Sequence, residues 1–353
     1  MAHGSKYNLI YLFIGGIIFI AYLLYTNPFT ELTKIGRFNY AVYVFAVTIN
    51  WIGLVSYSAS WHLLLQALDV KIPFIRTLQI TLVSMFIVFI FPIPSGVEII
   101  RAALVRDEKG SSTGKAVSSV IISKVYYFIS FGALITTAAF IVTVINSQSV
   151  PINPLIVWFV VLYGVANVVI LSLFLAPRQL KRVYDRSPLW VKRNIFDRLF
   201  AQSGGESDFK LFIGELDEAV KSLRNKPMIN LFSLVCVGFQ WSSASITAWL
   251  VIDSFKIDVS FWAVVLIFAF VELIQQLNLF IPGGLGIVDA GLTGAFVILG
   301  IPLGTAAAIS LLTRLATYWF ELIPAAAVSF LFGYSETIRN IANSKRSLTQ
   351  RDD

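Results

Sequence analysis

Lys124, Glu272, Arg314 and Glu321 lie inside long apolar runs, where a charge at the centre of a membrane span costs at least about 2.5–3.5 kcal/mol. Glu98, Arg101 and Asp289 stand in or beside two interruptions of those runs. Each such group needs a partner or a wet cavity. Arg314, Thr317, Tyr318 and Glu321 fall on one helical face, and Glu272, Gln275 and Gln276 make a similar stripe. Arg314 admits two readings, a structural ion pair with Glu272 or Glu321, or a contact, shared with Lys124, to an anionic group. Glu98 and Arg101, three apart, are spaced to pair on one helix, whereas Glu98 and Asp289 are also placed to titrate and couple transport to protons.

The interruptions repeat one another. Phe91-Pro92-Ile93-Pro94-Ser95-Gly96 answers to Leu279-Phe280-Ile281-Pro282-Gly283-Gly284. Thirty residues separate Pro94 from Lys124 and thirty-two separate Pro282 from Arg314, and each base is preceded by a hydroxyl residue and followed by aromatics. Paired broken segments at corresponding places point to a transporter's binding site. Helices opening at Ser95-Gly96 and at Gly284-Leu285-Gly286 present free N–H groups and a positive dipole end to an anion. The candidate substrate-binding set is therefore Pro94, Ser95, Gly96, Glu98, Arg101, Lys124, Glu272, Pro282, Gly283, Gly284, Gly286, Asp289, Arg314, Tyr318 and Glu321. No catalytic residue and no cofactor is expected.

The elements that position these groups follow from composition. Of 353 residues, 57% are hydrophobic and 13% charged, against about a quarter charged in soluble domains. Apolar runs of roughly 20 residues suffice to cross a bilayer. The expected fold is an all-α polytopic bundle of about eight spans, at 7–26, 40–68, 77–93, 114–145, 155–175, 228–252, 261–280 and 305–332. Two broken or re-entrant segments, 92–106 and 281–301, form the internal repeat. On the second span, Asn50, Tyr57, Ser58, Trp61 and His62 share a side that either bonds neighbouring helices or lines a cavity.

Residues 1–5 read as a tag remnant. The membrane halves are 6–176 and 228–334, joined by a basic loop, 177–227, and followed by a basic tail, 335–353. In the loop Phe209, Phe212, Leu216, Val220 and Leu223 recur at helical spacing, an amphipathic helix lying on the membrane or against the protein. The positive-inside rule puts the loop on the cytoplasmic side of the cell membrane. If 281–301 crosses, or forms a broken pair equivalent to a crossing, the tail joins the loop; if it simply turns back, the tail lands opposite. The side of the N-terminus is not fixed.

The net charge of +7 reads as topology and attraction to anionic lipid, not as nucleic-acid binding. One cysteine, Cys236, rules out a disulfide framework or thiolate cluster, and two histidines are too few for a zinc or haem site. No G-x-x-x-x-G-K-[ST] run occurs, which argues against ATP-driven transport by this chain alone.

Pro94-Ser95-Gly96-Val97-Glu98-Ile99-Ile100-Arg101 resembles the Pro-Gly-Gly-x-(Gly/Glu)-x-x-Arg signature of a flippase-like family, the transmembrane region of lysylphosphatidylglycerol synthases. That region also occurs as stand-alone proteins and fused to archaeal glycosyltransferases. Pro282 to Ala290 looks like its second signature, usually with Glu before the Ala, and Thr313-Arg314 with Tyr318-Trp319 also fits. The resemblance covers nearly the whole chain and implies translocation of lipids. Ser95 and Asp289 replace a Gly and a Glu, and Lys124, where relatives often have Arg, keeps the charge without bidentate geometry. The soluble aminoacyl-transfer domain is lacking, so lysyl-lipid is not implied as cargo.

The sequence therefore points to a flippase or transporter for an anionic phospholipid or a polyisoprenyl-phosphate lipid. Two alternatives stand beside it: an intramembrane lipid-modifying transferase with Glu98 or Asp289 as base, and a scaffold for a glycosyltransferase resting on the basic loop. The expected partners are membrane lipids with an anionic headgroup. A separate glycosyltransferase or lipid synthase, or a second copy of the chain, is the protein partner these features admit.

Overall fold

A computed structural model describes residues 2–34, 38–90, 96–106, 108–145, 153–188, 206–277 and 281–333. Pro94, Ser95, residues 189–205 of the basic loop and the tail from 334 lie outside the described residues, as do the side chains of Phe209, Gln276 and Pro282.

Every described element is helical. In chain order they are α1 (Ala2–Thr26), α2 (Pro28–Lys34), α3 (Tyr40–Ala67), α4 (Phe74–Ile90), α5 (Gly96–Val105), α6 (Thr113–Phe140, extended by a π turn, Ile141–Ile145), α7 (Pro154–Ser172), α8 (Pro177–Arg186), α9 (Glu206–Arg224), α10 (Pro227–Ser254), α11 (Phe261–Leu277), α12 (Ile287–Ile298), α13 (Leu303–Arg314) and α14 (Phe320–Val328). A π turn, Leu315–Trp319, joins α13 to α14 into one rod, Leu303–Leu331. Five helices among the described residues are long and apolar enough to cross a membrane, and α4, α11, α12 and part of α1 are shorter apolar helices. The protein is a multi-pass membrane protein.

The helix starts are written locally. Asn39 caps α3 by accepting from the N–H groups of Ala41 and Val42, Ser112 caps α6, and Asn153 caps α7 ahead of Pro154. Inside the spans, hydroxyls fold back on the carbonyl one turn earlier, as at Ser58, Thr81, Ser84 and Thr317. That satisfies them where water is absent.

α3 and α10 form the antiparallel centre of the bundle. Asn39 N–H donates to Ser254 O at one end, Ser60 meets Ser233 further along, and Lys226 Nζ donates to Ala67 O at the other end. The Ala67 end, with α8 and α9, defines the loop face, and the Ser254 end defines the far face. α9 resolves the choice left by its stripe: Phe212, Leu216 and Leu223 are buried in one core cluster with Trp61, Leu64 and Val120, so it docks on the protein.

The two broken segments are re-entrant hairpins. α4 has 17 residues, about 25 Å, short of the roughly 30 Å hydrocarbon core. It leaves the loop face, and α5 returns there, where Lys71 N–H donates to Lys109 O. α11 leaves the far face and α12 returns to it, since Ile252, Val264, Phe296 and Ile301 share one core cluster. α12, 12 residues or about 18 Å, is too short to cross. It runs antiparallel to α13, held by Ser310 Oγ on Asp289 O and by Tyr22, whose hydroxyl bonds both Thr293 Oγ1 and Ala307 O. The α11–α12 hairpin thus makes no net crossing, and the rod carries the chain from the far face to Gly333 on the same face as the basic loop. Tyr22 also orients α1, so its Ala2 end points to the loop face. The helix begins at Ala2, within the residues read as a tag remnant.

The hairpins enter from opposite faces, as two inverted copies of one unit. α3, α4–α5 and α6 correspond to α10, α11–α12 and the rod, with lengths of 28 and 28, 17 and 17, 10 and 12, and 33 and 29 residues.

At the centre, Gly53 of α3 lets α10 approach until a Cβ at this position would strike the Ser243 side chain. Gly53→Ala is expected to lower stability by about 1–3 kcal/mol through overpacking. Adding Ser243→Gly recovers most of that loss, as read by thermal unfolding of the detergent-solubilised protein.

Candidate functional site

The two hairpins meet at mid-depth, where α4 touches the Pro282–Gly284 turn and the Phe89 and Tyr318 rings lie 4.8 Å apart. Between them lies a cavity of about 440 Å³. Glu98, Lys124, Glu272, Arg314, Tyr318 and Glu321, all expected at a site, line it together with Gly96. Thr317 and Gln275 line it as well, so the expected faces of the rod and of α11 do point inward.

The repeat places one acid and one base in each half at the same register. Glu98 is the third residue of α5 and Asp289 the third of α12; Lys124 is the twelfth of α6 and Arg314 the twelfth of α13. Lys124 Nζ lies 2.8 Å from Glu98 Oε1, and Arg314 Nε lies 3.3 Å from Asp289 Oδ1. Of the pairings the sequence left open, neither Arg314 with Glu272 or Glu321 nor Glu98 with Arg101 forms; the acids are Asp289 for Arg314 and Glu98 for Lys124. An acid in the first turn of a half-helix is held at the N-terminal dipole and faces the adjacent rod. Pairs within one rod or stripe lack that geometry.

Arg314 is almost fully buried. It also donates through Nη2 to Gly283 O at 2.6 Å, and its guanidinium stacks 4.4 Å from the Tyr318 ring centre. Asp289 accepts from the Gly286 N–H at 2.9 Å, half of a capping box that fixes the start of α12. Gly283 and Gly286 have φ of 59° and 80°, a region that disfavours side chains. A Cβ at Gly283 would also strike the Tyr318 hydroxyl, and one at Gly286 would come 2.8 Å from the backbone N of Phe19. Gly283, Gly284, Gly286 and Asp289 therefore stand behind the cavity wall and shape it through Arg314.

Arg101 is not part of the lining. It is 1% exposed, donates to Thr81 Oγ1 at 2.9 Å and lies 4.2 and 4.7 Å from the ring centres of Tyr57 and Trp61. Its helix faces α3 and α4 there, and aromatic faces take the place of the expected anion. The stripe on α3 divides accordingly. Asn50 and Tyr57 line the cavity, Trp61 packs under Arg101, Ser58 bonds its own helix, and His62 bonds Thr77.

Glu321 accepts from Asn50 Nδ2 at 2.6 Å, and the same amide reaches Ala316 O in the π turn at 3.3 Å. π turns concentrate at functional sites; here one re-aims Tyr318 and Glu321, and Pro324, which lacks an N–H, follows within the same rod. Glu272 Oε1 lies 3.5 Å from the Tyr127 hydroxyl, and Lys124 sits 5.4 Å from the Tyr127 ring centre. Tyr127, Gln240, Trp241 and Phe89 were not among the expected site residues. Gln240-Trp241-Ser242-Ser243, a run with three polar residues inside an apolar span, was the visible sign of Gln240 and Trp241. Gln240 Oε1 and Trp241 Nε1 are buried without a hydrogen-bond partner, polar atoms left available to a bound polar group.

Comparison with known proteins agrees with this architecture. A family model described as the lysylphosphatidylglycerol synthase transmembrane region matches residues 10–325. A UPF0104 membrane protein of Methanothermobacter thermautotrophicus is 22% identical over 309 residues, covering 86% of this chain and 87% of its own. A UPF0104 membrane protein of Pyrococcus horikoshii is 19% identical over 336 residues, covering 90% and 95%. With a family-model match over residues 10–325, this chain belongs to the family of lysylphosphatidylglycerol synthase transmembrane regions.

Proposed function

We propose that the protein translocates lipids, taking the headgroup of an anionic phospholipid or a polyisoprenyl-phosphate lipid into the central cavity while the hydrocarbon chains stay in the bilayer. The observation that carries this reading is the pair of hairpins entering from opposite faces, each with an acid–base pair at the same register, around one polar cavity. A charged headgroup cannot cross about 30 Å of hydrocarbon unaided, and such a cavity replaces its hydration at mid-depth.

Lys124 and Arg314 are the phosphate ligands. In the unloaded protein Glu98 and Asp289 occupy them, and an incoming phosphate exchanges with these carboxylates. That exchange releases a half-helix from its rod, so loading loosens the hairpin that must move. Rocking one hairpin against the rest opens the cavity to one face at a time. The basic loop face, with Arg178, Lys181, Arg182 and Arg186 on α8, is cytoplasmic under the positive-inside rule. The membrane is then the cell membrane, and the protein acts as a carrier rather than an enzyme.

The test is flipping of fluorescent phosphatidylglycerol and of a fluorescent polyprenyl phosphate in proteoliposomes, read by dithionite quenching. Wild type is expected to expose inner-leaflet label. Arg314→Ala is expected to be slower by about tenfold to a hundredfold, the value of a charge-assisted hydrogen bond of roughly 1.5–3 kcal/mol. Equal rates for the two proteins with both lipids would refute the proposal.

The latch has its own signature. Lys124→Met strands Glu98 and is expected to lower stability by about 1–3 kcal/mol, less than the roughly 3–5 kcal/mol of a fully buried pair because the cavity side is open. The double variant Glu98→Gln/Lys124→Met is expected to regain most of that loss in thermal unfolding.

A further inference from the structure

Counting each repeat unit from its helix starts separates the groups they share from those only one unit carries. The acid–base pairs are shared. Glu321, the nineteenth residue of its rod, corresponds to Phe131 of α6, and Asn50, the eleventh of α3, corresponds to Val237 of α10. The Asn50–Glu321 hydrogen bond is thus an addition to one side of a scaffold that already holds itself together without it.

We propose that Glu321 is a proton-binding site of the cavity and that one proton travels with each anionic headgroup; this rests on the lipid-translocation reading above. Lys124, Arg314 and Arg101, whose field reaches Glu98 from behind the wall, bring three positive charges, against four negative ones on Glu98, Asp289, Glu272 and Glu321. A fully ionised cavity carries a net charge of −1 and repels a lipid phosphate. One proton on one carboxylate cancels that charge as the headgroup enters.

The geometry selects which carboxylate. Glu98 and Asp289 are committed to ion pairs that anchor half-helices, and protonating either one strands a base. Glu272 lies in the field of Lys124 and beside the Tyr127 hydroxyl. Glu321 has a neutral amide as its hydrogen-bond partner, and no base pairs with it among the described residues. Asn50 binds Oε1, which leaves Oε2 to take the proton. Asn50 is itself held by Ala316 O, so it keeps its bond through either charge state.

The remaining groups that face the cavity around Glu321 are few. α3 presents Tyr57 beside Asn50, α4 presents only the apolar Met85, Val88 and Phe89, and the rod itself presents Arg314 and Tyr318. α5, α6 and α11 contribute Glu98, Lys124 with Tyr127, and Glu272. The step balances simply. An O–H bond forms at Glu321 from an aqueous proton on the side where the headgroup enters, and it breaks on the other side when the headgroup leaves.

The experiment reads the steady-state leaflet distribution of NBD-phosphatidylglycerol in proteoliposomes with an imposed pH difference and the membrane potential clamped at zero. One coupled proton holds the leaflet ratio away from unity by up to tenfold per pH unit, since one unit is a factor of ten in proton activity. Wild type is expected to accumulate label in the leaflet facing the alkaline side, to reverse when the gradient is reversed, and to equalise when a protonophore is added. Glu321→Gln is expected to give a ratio of one at any gradient, whatever its absolute rate, and Glu321→Asp to restore the asymmetry. Wild-type flipping with a ratio of one under every gradient overturns the proton site and leaves lipid translocation standing; absence of wild-type flipping under all conditions overturns translocation itself. An asymmetry retained in Glu321→Gln moves the proton to another group and overturns the assignment.

Discussion

A polypeptide that stops being helical inside a bilayer exposes N–H and C=O groups that hydrocarbon cannot satisfy, each at a cost of several kcal/mol. This protein does so twice, after Ile90 and after Leu277, and the rest of the bundle follows from where those two breaks can be put. In the second of them the described turn, Pro282–Gly284, packs against α1, α4 and α12. Gly283 O, which a regular helix would have paired internally, is taken by the Arg314 guanidinium, and the Gly286 N–H is taken by the Asp289 carboxylate. The polar centre is thus first a solution to a backbone problem. Because the breaks come from opposite faces, their half-helices stop short of each other, and the space between them is the cavity.

The two ion pairs both anchor the hairpins and charge the cavity wall. Each acid sits in the first turn of a half-helix and each base twelve residues into the neighbouring rod, so each pair fixes how deep its hairpin reaches. The pairs differ in burial: both side chains of Arg314–Asp289 are nearly inaccessible, whereas Lys124 remains one-third exposed toward the cavity. Lys124 is therefore the more accessible of the two bases, and the more buried arginine pair holds the far-face hairpin. Arg101, stacked between Tyr57 and Trp61, braces the base of the other hairpin from outside the cavity.

Much of this was legible in residue order. The eight apolar runs, the matching Pro/Gly interruptions, and the bases thirty and thirty-two residues beyond them appear without coordinates, because hydrophobic length and helix-breaking residues act locally. The faces of the rod and of α11 were legible as well, since helical periodicity fixes which side chains travel together. The partners of the charges were not. Arg314 had three acids within plausible reach, and only the antiparallel packing of α12 on α13 brings Asp289 rather than Glu272 or Glu321 against it. Arg101 was misplaced for the same reason: its helix gives it a direction, but whether aromatic rings or an anion wait there depends on α3. The amphipathic stripe of α9 fitted a membrane surface and a protein groove equally well, and the groove between α6, α8 and α10 exists only after folding.

By itself the sequence determined that the chain crosses a membrane repeatedly, that two of its segments break at matching places, and that buried bases follow each break. These are consequences of one-dimensional pattern, and they hold whatever the helices pack against. Tertiary structure alone decided that both broken segments return to the face they left, that they do so from opposite faces, and that each base is already held by an acid. The physical reason is length against bilayer thickness: ten- and twelve-residue half-helices cannot span about 30 Å, so each turns back and finds its counter-charge on the neighbouring rod.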